Sequence, residues 1–74
     1  NVAVPVTLHT DNDTVSRKMD VPGDYTFVVG ERETVDGDDF VVTAFVDRRT
    51  DDRLRVDGDD VQAKNAKRVY GETV

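Results

Sequence analysis

Seventy-four residues make one small domain, and a chain of this size buries only about 60% of the surface its unfolded form exposes. With no cysteine, disulfides and thiolate–metal sites are excluded, and 16 acidic against 10 basic side chains leave a net charge of −6. No apolar stretch reaches the length of a signal-peptide core or a membrane span, so the chain is read as soluble, cytoplasmic and monomeric.

Valine supplies 15 of the 20 Val, Leu, Ile and Phe residues, which favours strands, because branching at Cβ restricts χ1 in helices and packs well on a pleated sheet. Val2, Val4, Val6 and Leu8 alternate with Ala3, Pro5, Thr7 and His9, which predicts a strand over 2–9. Pro5 cannot donate a ladder hydrogen bond, so this strand is expected at an edge or paired on one side. After the turn residues Thr10–Asp13, the residues Val15, Arg17, Met19 and Val21 form one face of a second strand antiparallel to the first. Pro22-Gly23-Asp24 breaks it.

Tyr25, Phe27 and Val29 form the inward face of a third strand that ends at Gly30, and a short fourth strand spans Arg32–Val35. Asp36-Gly37 then marks a tight hairpin turn, since both residues accept positive φ. The fifth strand, from Asp39 to about Arg48, is apolar on both faces: Phe40, Val42, Ala44 and Val46 on one, Val41, Thr43 and Phe45 on the other. Such a pattern suits a long strand bent through a small barrel. Arg53–Val56 reads as a sixth strand with Leu54 and Val56 inward, and Asp57-Gly58-Asp59-Asp60 as a turn. Val61–Ala66 fits one helical turn, and Lys67–Tyr70 a closing strand. Together these predict an all-β domain over 1–74: a small antiparallel SH3-like barrel of five to seven short strands with one helical turn near the C-terminus. An OB-like barrel is the alternative.

Chemistry is sparse. No nucleophile is accompanied by a positioned base, and His9 is the only histidine, so the chain is read as non-enzymatic with no catalytic residue and no cofactor. The aspartate-rich turns at Asp11, Asp36 and Asp57 lack the spacing of a calcium loop, and no metal site is assigned. Charge distribution is more informative. Between Arg48 and Arg68 lie seven bases (Arg48, Arg49, Arg53, Arg55, Lys64, Lys67, Arg68) and five acids, a net of +2, which leaves −8 on the rest. Such a cluster suits phosphate, and Phe45 or Tyr70 nearby could stack on a base. The structural counterpart is that these bases pair with the interleaved aspartates, and that Phe45 is a second core residue. The functional expectation is an accessory binding domain for nucleic acid or a nucleoprotein through this region; the alternative is a protein–protein or structural domain.

Two stretches carry a resemblance: Tyr25-Thr-Phe-Val-Val-Gly-Glu-Arg-Glu-Thr-Val-Asp-Gly-Asp-Asp-Phe-Val-Val-Thr-Ala-Phe45 and Ala63-Lys-Asn-Ala-Lys-Arg-Val-Tyr-Gly71. They resemble the C-terminal β domain of a family of archaeal, notably haloarchaeal, zinc-finger proteins without assigned activity, in which a cysteine zinc ribbon precedes the β domain. The resemblance implies a domain excised from a longer protein, with any zinc ligands outside these residues.

Composition points to the same setting, since Asp outnumbers Glu thirteen to three and Arg outnumbers Lys seven to three. Near 1 M salt the Debye length is about 3 Å, so carboxylate repulsion that strains a tiny domain is screened. The domain is expected to lose structure as salt is removed. Circular dichroism recorded from molar to millimolar salt checks this, and an unchanged spectrum overturns it.

Overall fold

The longest strand, Asp38–Asp47, forms the middle of the fold, because its apolar residues on both faces need partners on both sides. The computed structural model describes residues 1–74 throughout, with eight strands: β1 Val2–His9, β2 Thr14–Val21, β3 Thr26–Val28, β4 Arg32–Val35, β5 Asp38–Asp47, β6 Arg53–Leu54, β7 Asp60–Gln62 and β8 Ala66–Thr73. One 3₁₀ turn, Ala63–Asn65, precedes β8. The fold is therefore all-β with a single helical turn near the C-terminus, as expected. No helix is long and apolar enough to cross a membrane.

The main sheet runs β2-β1-β8-β5-β4, with β6 also on β5, and a two-stranded ribbon of β3 and β7 adds Phe27 and Val61 to the same core. The free edge of β5 is divided: β4 pairs with its first half and β6 with Phe45 and Val46. Backbone bonds connect ribbon and sheet, with the Gly30 amide donating to the Val42 carbonyl at 2.8 Å and the Val42 amide to Glu31 at 3.0 Å. The Asp36-Gly37 turn takes positive φ at both residues, 50° and 83°, as the hairpin between β4 and β5 requires.

Val4, Val6, Leu8, Phe27, Phe40, Val42, Phe45 and Val69 are the largest fully buried side chains. Burying each such side chain contributes roughly 1.5–3 kcal/mol. Register explains why β5 is apolar on both faces. Val42 pairs with Gly71 and Ala44 with Tyr70, so Thr43 is an extra residue on β5. This bulge reverses the alternation: Phe40 and Val42 point into the core before it, and Phe45 after it. A second irregularity, between Val46 and Asp47, makes Lys67 the extra residue on β8, so that Ala66 and Val69 both reach the core.

Several expectations are corrected. β1 is not an edge strand, since it pairs with β2 along its length and with β8 from Val6 to His9. The constraint at Pro5 is met because β8 joins only after it. The β1–β8 pair is parallel, because the 3₁₀ turn lays the chain across the barrel end before β8 starts beside β1. β6 is only two residues long, and Val56 is exposed rather than inward, since β5 offers ladder partners to Arg53 and Leu54 alone. Asp60–Gln62, expected to end a turn and begin the helical one, is a strand on β3. The closing strand runs on to Thr73, because β5 and β1 both pair with it.

Gly71 lies directly over Phe40. A Cβ there would overlap the Phe40 ring and stand 3.0 Å from the Val41 carbonyl oxygen. Phe40 is fully buried and cannot swing away. Gly71→Ala is expected to destabilise the domain by about 1–3 kcal/mol, read as a fall in Tm of roughly 4–8 °C per kcal/mol. An unchanged thermal midpoint overturns the packing assignment.

Candidate nucleic-acid interface

The outward side chains of the sheet follow from its registers. Pro5 lies opposite Lys18 and Thr7 opposite Ser16; Thr7 also lies beside Tyr70, and Val46 is flanked by Arg68 and Arg53. Inward positions on these strands are Val4, Val6, Met19, Phe45 and Val69, so the outward set forms one continuous face. Across it, one row reads Lys18, Pro5, Arg68, Val46, Arg53, and the neighbouring row Ser16, Thr7, Tyr70, Ala44.

This face concentrates bases with few acids. The Arg53 guanidinium stacks over the Tyr70 ring, 4.3 Å from its centroid. Arg68 Nη1 donates to Thr7 Oγ1 at 2.8 Å. Lys67 Nζ forms an exposed ion pair with Asp51 at 2.8 Å beside them. Val46, Asp51, Lys67, Arg68 and Tyr70 line a shallow concavity. Arg53 and Arg68 thus have neutral partners, a ring and a hydroxyl, and neither is paired with a carboxylate.

The remaining expected site residues are dispersed. Arg49 is held by Asp47: its Nε and Nη2 donate to the two carboxylate oxygens at 3.1 and 2.9 Å, and its amide donates to Oδ1 at 2.9 Å. These bonds hold the Asp47 carboxyl below the usual range and raise the Arg49 guanidinium further. Arg49 is therefore committed to the loop that leads to β6. Arg48 and Lys64 lie at the barrel end, where the Arg48 amide bonds to Asn65 and the Lys64 amide to Gly23. Arg55 is exposed beyond β6. Phe45 has no accessible surface and belongs to the core, so a stacking role for it is corrected: the Thr43 bulge turns it inward, and Tyr70 is the aromatic on this face.

Lys18, Ser16 and Thr7 were missed by counting charges along the chain. They reach the face because β2 and β8 both flank β1, about fifty positions apart in sequence. The outward phase of β2 was readable, but not its neighbourhood with Arg68.

The family model of CPxCG-related zinc fingers matches residues 1–72. The chain belongs to the CPxCG-related zinc finger family. Comparison with curated proteins and with solved structures gives no match. Membership agrees with the zinc-finger resemblance of Tyr25–Phe45 and Ala63–Gly71, and it points to a binding or structural role. Zinc itself does not fit these residues. The chain has no thiolate, its one imidazole, His9, contacts Thr14 Oγ1 at 3.3 Å, and no three His, Cys, Asp or Glu side chains converge on a point. No step is therefore assigned to a metal.

On the side of β5 away from β8, the Tyr25 hydroxyl donates to Glu33 Oε1 at 2.5 Å, and its ring meets Phe27 edge-on at 5.3 Å. The hydrogen bond to Glu33, then burial, then the charges of Glu33 and Glu31 push the Tyr25 hydroxyl up to about 12 from 10.0. Burial raises the Glu33 carboxyl above its ordinary value, against the opposing Tyr25 bond. A raised folded-state value means the folded chain keeps its proton longer than the unfolded chain. The stability from Tyr25 is thus complete below pH 10 and lost as pH rises toward 12. Tyrosinate absorbance is expected to show a transition near pH 12 that Tyr25→Phe lacks, with a shallower alkaline loss of Tm in the variant. A spectrum with no transition above pH 10 that Tyr25→Phe removes overturns this.

Proposed function

We propose that the domain is a non-catalytic binding module for single-stranded nucleic acid, alone or within a nucleoprotein, and that the outer sheet face is its contact surface. One observation carries this reading: Arg53 and Arg68 flank Tyr70 on a single face without a carboxylate partner. Flat β faces with an aromatic platform and surrounding cations suit single strands, since stacking tolerates any base while cations follow the backbone. The archaeal, salt-rich setting implied by the resemblance belongs to the same proposal, as does a zinc ribbon on another segment. Zinc-finger-type families are typically non-catalytic, which agrees with a binding role.

A second reading, an accessory domain that docks on protein, draws on the free ladder edges of β2 and β4. In that case a partner strand extends the sheet and the outer face stays unoccupied.

An NMR titration of the chain with a single-stranded oligonucleotide at high and moderate salt separates the two. Localised shifts at Arg53, Lys67, Arg68 and Tyr70 are expected. Tyr70→Ala is expected to weaken binding by about 1–3 kcal/mol, and Arg68→Gln to reduce the log–log salt slope by roughly 0.7. A titration that moves none of these residues discards the nucleic-acid reading.

A further inference from the structure

A second concavity lies on the same face, over Pro5. It has a volume of about 350 Å³ and is lined by Pro5, Ser16, Arg17, Lys18, Asp36 and Arg68. Its shape follows from the backbone, since the Pro5 ring is low and β8 begins to pair with β1 only at Val6. Lys18 and Arg68 stand on the strands either side of Pro5. Two strand spacings put their backbones about 10 Å apart, and both long side chains can bend over the ring to one point. Arg17 comes around the β2 edge, donating from Nη1 to its neighbour's carbonyl, that of Ser16, at 3.2 Å.

Charge balance makes this arrangement informative. Acids outnumber bases 16 to 10 in the chain, so carboxylates are in ample supply. Even so, Lys18 makes no side-chain hydrogen bond or ion pair, and Arg68 bonds only to the Thr7 hydroxyl. The one carboxylate at the rim, Asp36, lies 3.7 Å from Arg17 Nε and balances that base alone. Two uncompensated cations and the free Ser16 hydroxyl therefore line one polar dent that has no large apolar side chain. Cations that converge with a hydroxyl donor match the tetrahedral oxygens of a phosphate group.

We infer that the dent over Pro5 binds a single phosphate group, held by Lys18, Arg68 and the Ser16 hydroxyl, with Arg17 as an outer contributor. Arg68 and Tyr70 are two residues apart on one face of β8, about 6.8 Å, so a phosphate in the dent and a base on Tyr70 can belong to one strand. That last assignment rests on the reading under Proposed function; phosphate binding itself stands apart from it.

The test uses the whole chain and NMR, with inorganic phosphate titrated at constant ionic strength against chloride. Saturable shifts are expected at the Ser16 and Lys18 amides and at Arg68 Nε. Lys18→Gln is expected to weaken phosphate about tenfold, while Lys64→Gln, at the barrel end, leaves it unchanged. Diffuse shifts, or affinity unaltered by Lys18→Gln in a folded variant, overturn the site. A second arm uses an oligonucleotide without terminal phosphates. Shifts at the dent and at Tyr70 together support a phosphodiester occupant. If Tyr70 and Arg53 move while Ser16 and Lys18 do not, the phosphodiester assignment of the dent fails and the nucleic-acid reading stands, with the dent decided by the inorganic phosphate titration. If inorganic phosphate saturates the dent and the oligonucleotide moves nothing, the nucleic-acid reading fails and the dent stands as a site for free phosphate.

Discussion

Everything in this fold depends on how β5 pairs with β8. Each strand carries one extra residue, Thr43 on β5 and Lys67 on β8, and each bulge resets which side of the strand faces the core. Without the reset at Thr43, Phe45 would share a face with Val41 and leave the core short of one of its three phenylalanines. Without the reset at Lys67, Ala66 and Val69 could not both point inward. The same two bulges leave Ala44, Val46, Arg68 and Tyr70 on the opposite side. Core and outer face are thus two consequences of one register, and Gly71 lets that register close against Phe40.

Much of the fold was legible because period-2 alternation is a local property. β1, β2, β4 and β5 lie within a residue or two of where valine spacing puts them, and Asp36-Gly37 turns as its φ requirements demand. What was not legible is non-local. A three-residue strand such as Asp60–Gln62 has too few positions to show a period and exists because β3 offers it a ladder. The parallel β1–β8 pair has no signature in either strand. The ambiguity at Phe45 has the same origin, since a bulge changes the face without changing composition. Half the candidate face, Arg53, Lys67, Arg68 and Tyr70, was visible as a charge cluster. Lys18 and Ser16 were not, because only the strand order brings them there.

Membership of a zinc-finger family raises the question of what holds these residues together. In structural zinc domains, metal binding supplies the folding energy. Here the largest fully buried side chains are Val4, Val6, Leu8, Phe27, Phe40, Val42, Phe45 and Val69, around the sheet and ribbon. Polar order is added where the chain must turn sharply, as in the Asp47 loop: its carboxylate binds Arg49, its amide donates to Asp52 and its carbonyl accepts from Asp51. Every side-chain nitrogen or oxygen that is fully buried has a partner. The fold is therefore a packing solution, and its stability depends on the shape of a few large side chains.

An acidic chain with a basic face also has to reconcile two fields. At low ionic strength the surplus of −6 acts over tens of ångströms and opposes any polyanion that approaches. Near 1 M salt the range falls to about 3 Å, so the distant aspartates become invisible and only groups in direct contact count. The same salt removes most of the entropic gain from counterion release, which sustains ordinary phosphate binding. For the proposed contact that leaves short-range interactions, stacking at Tyr70 and hydrogen bonds directed by Arg68. A face built from an aromatic platform, an oriented guanidinium and a shaped dent suits that regime better than a dense lysine patch, which relies on the long-range field that salt removes.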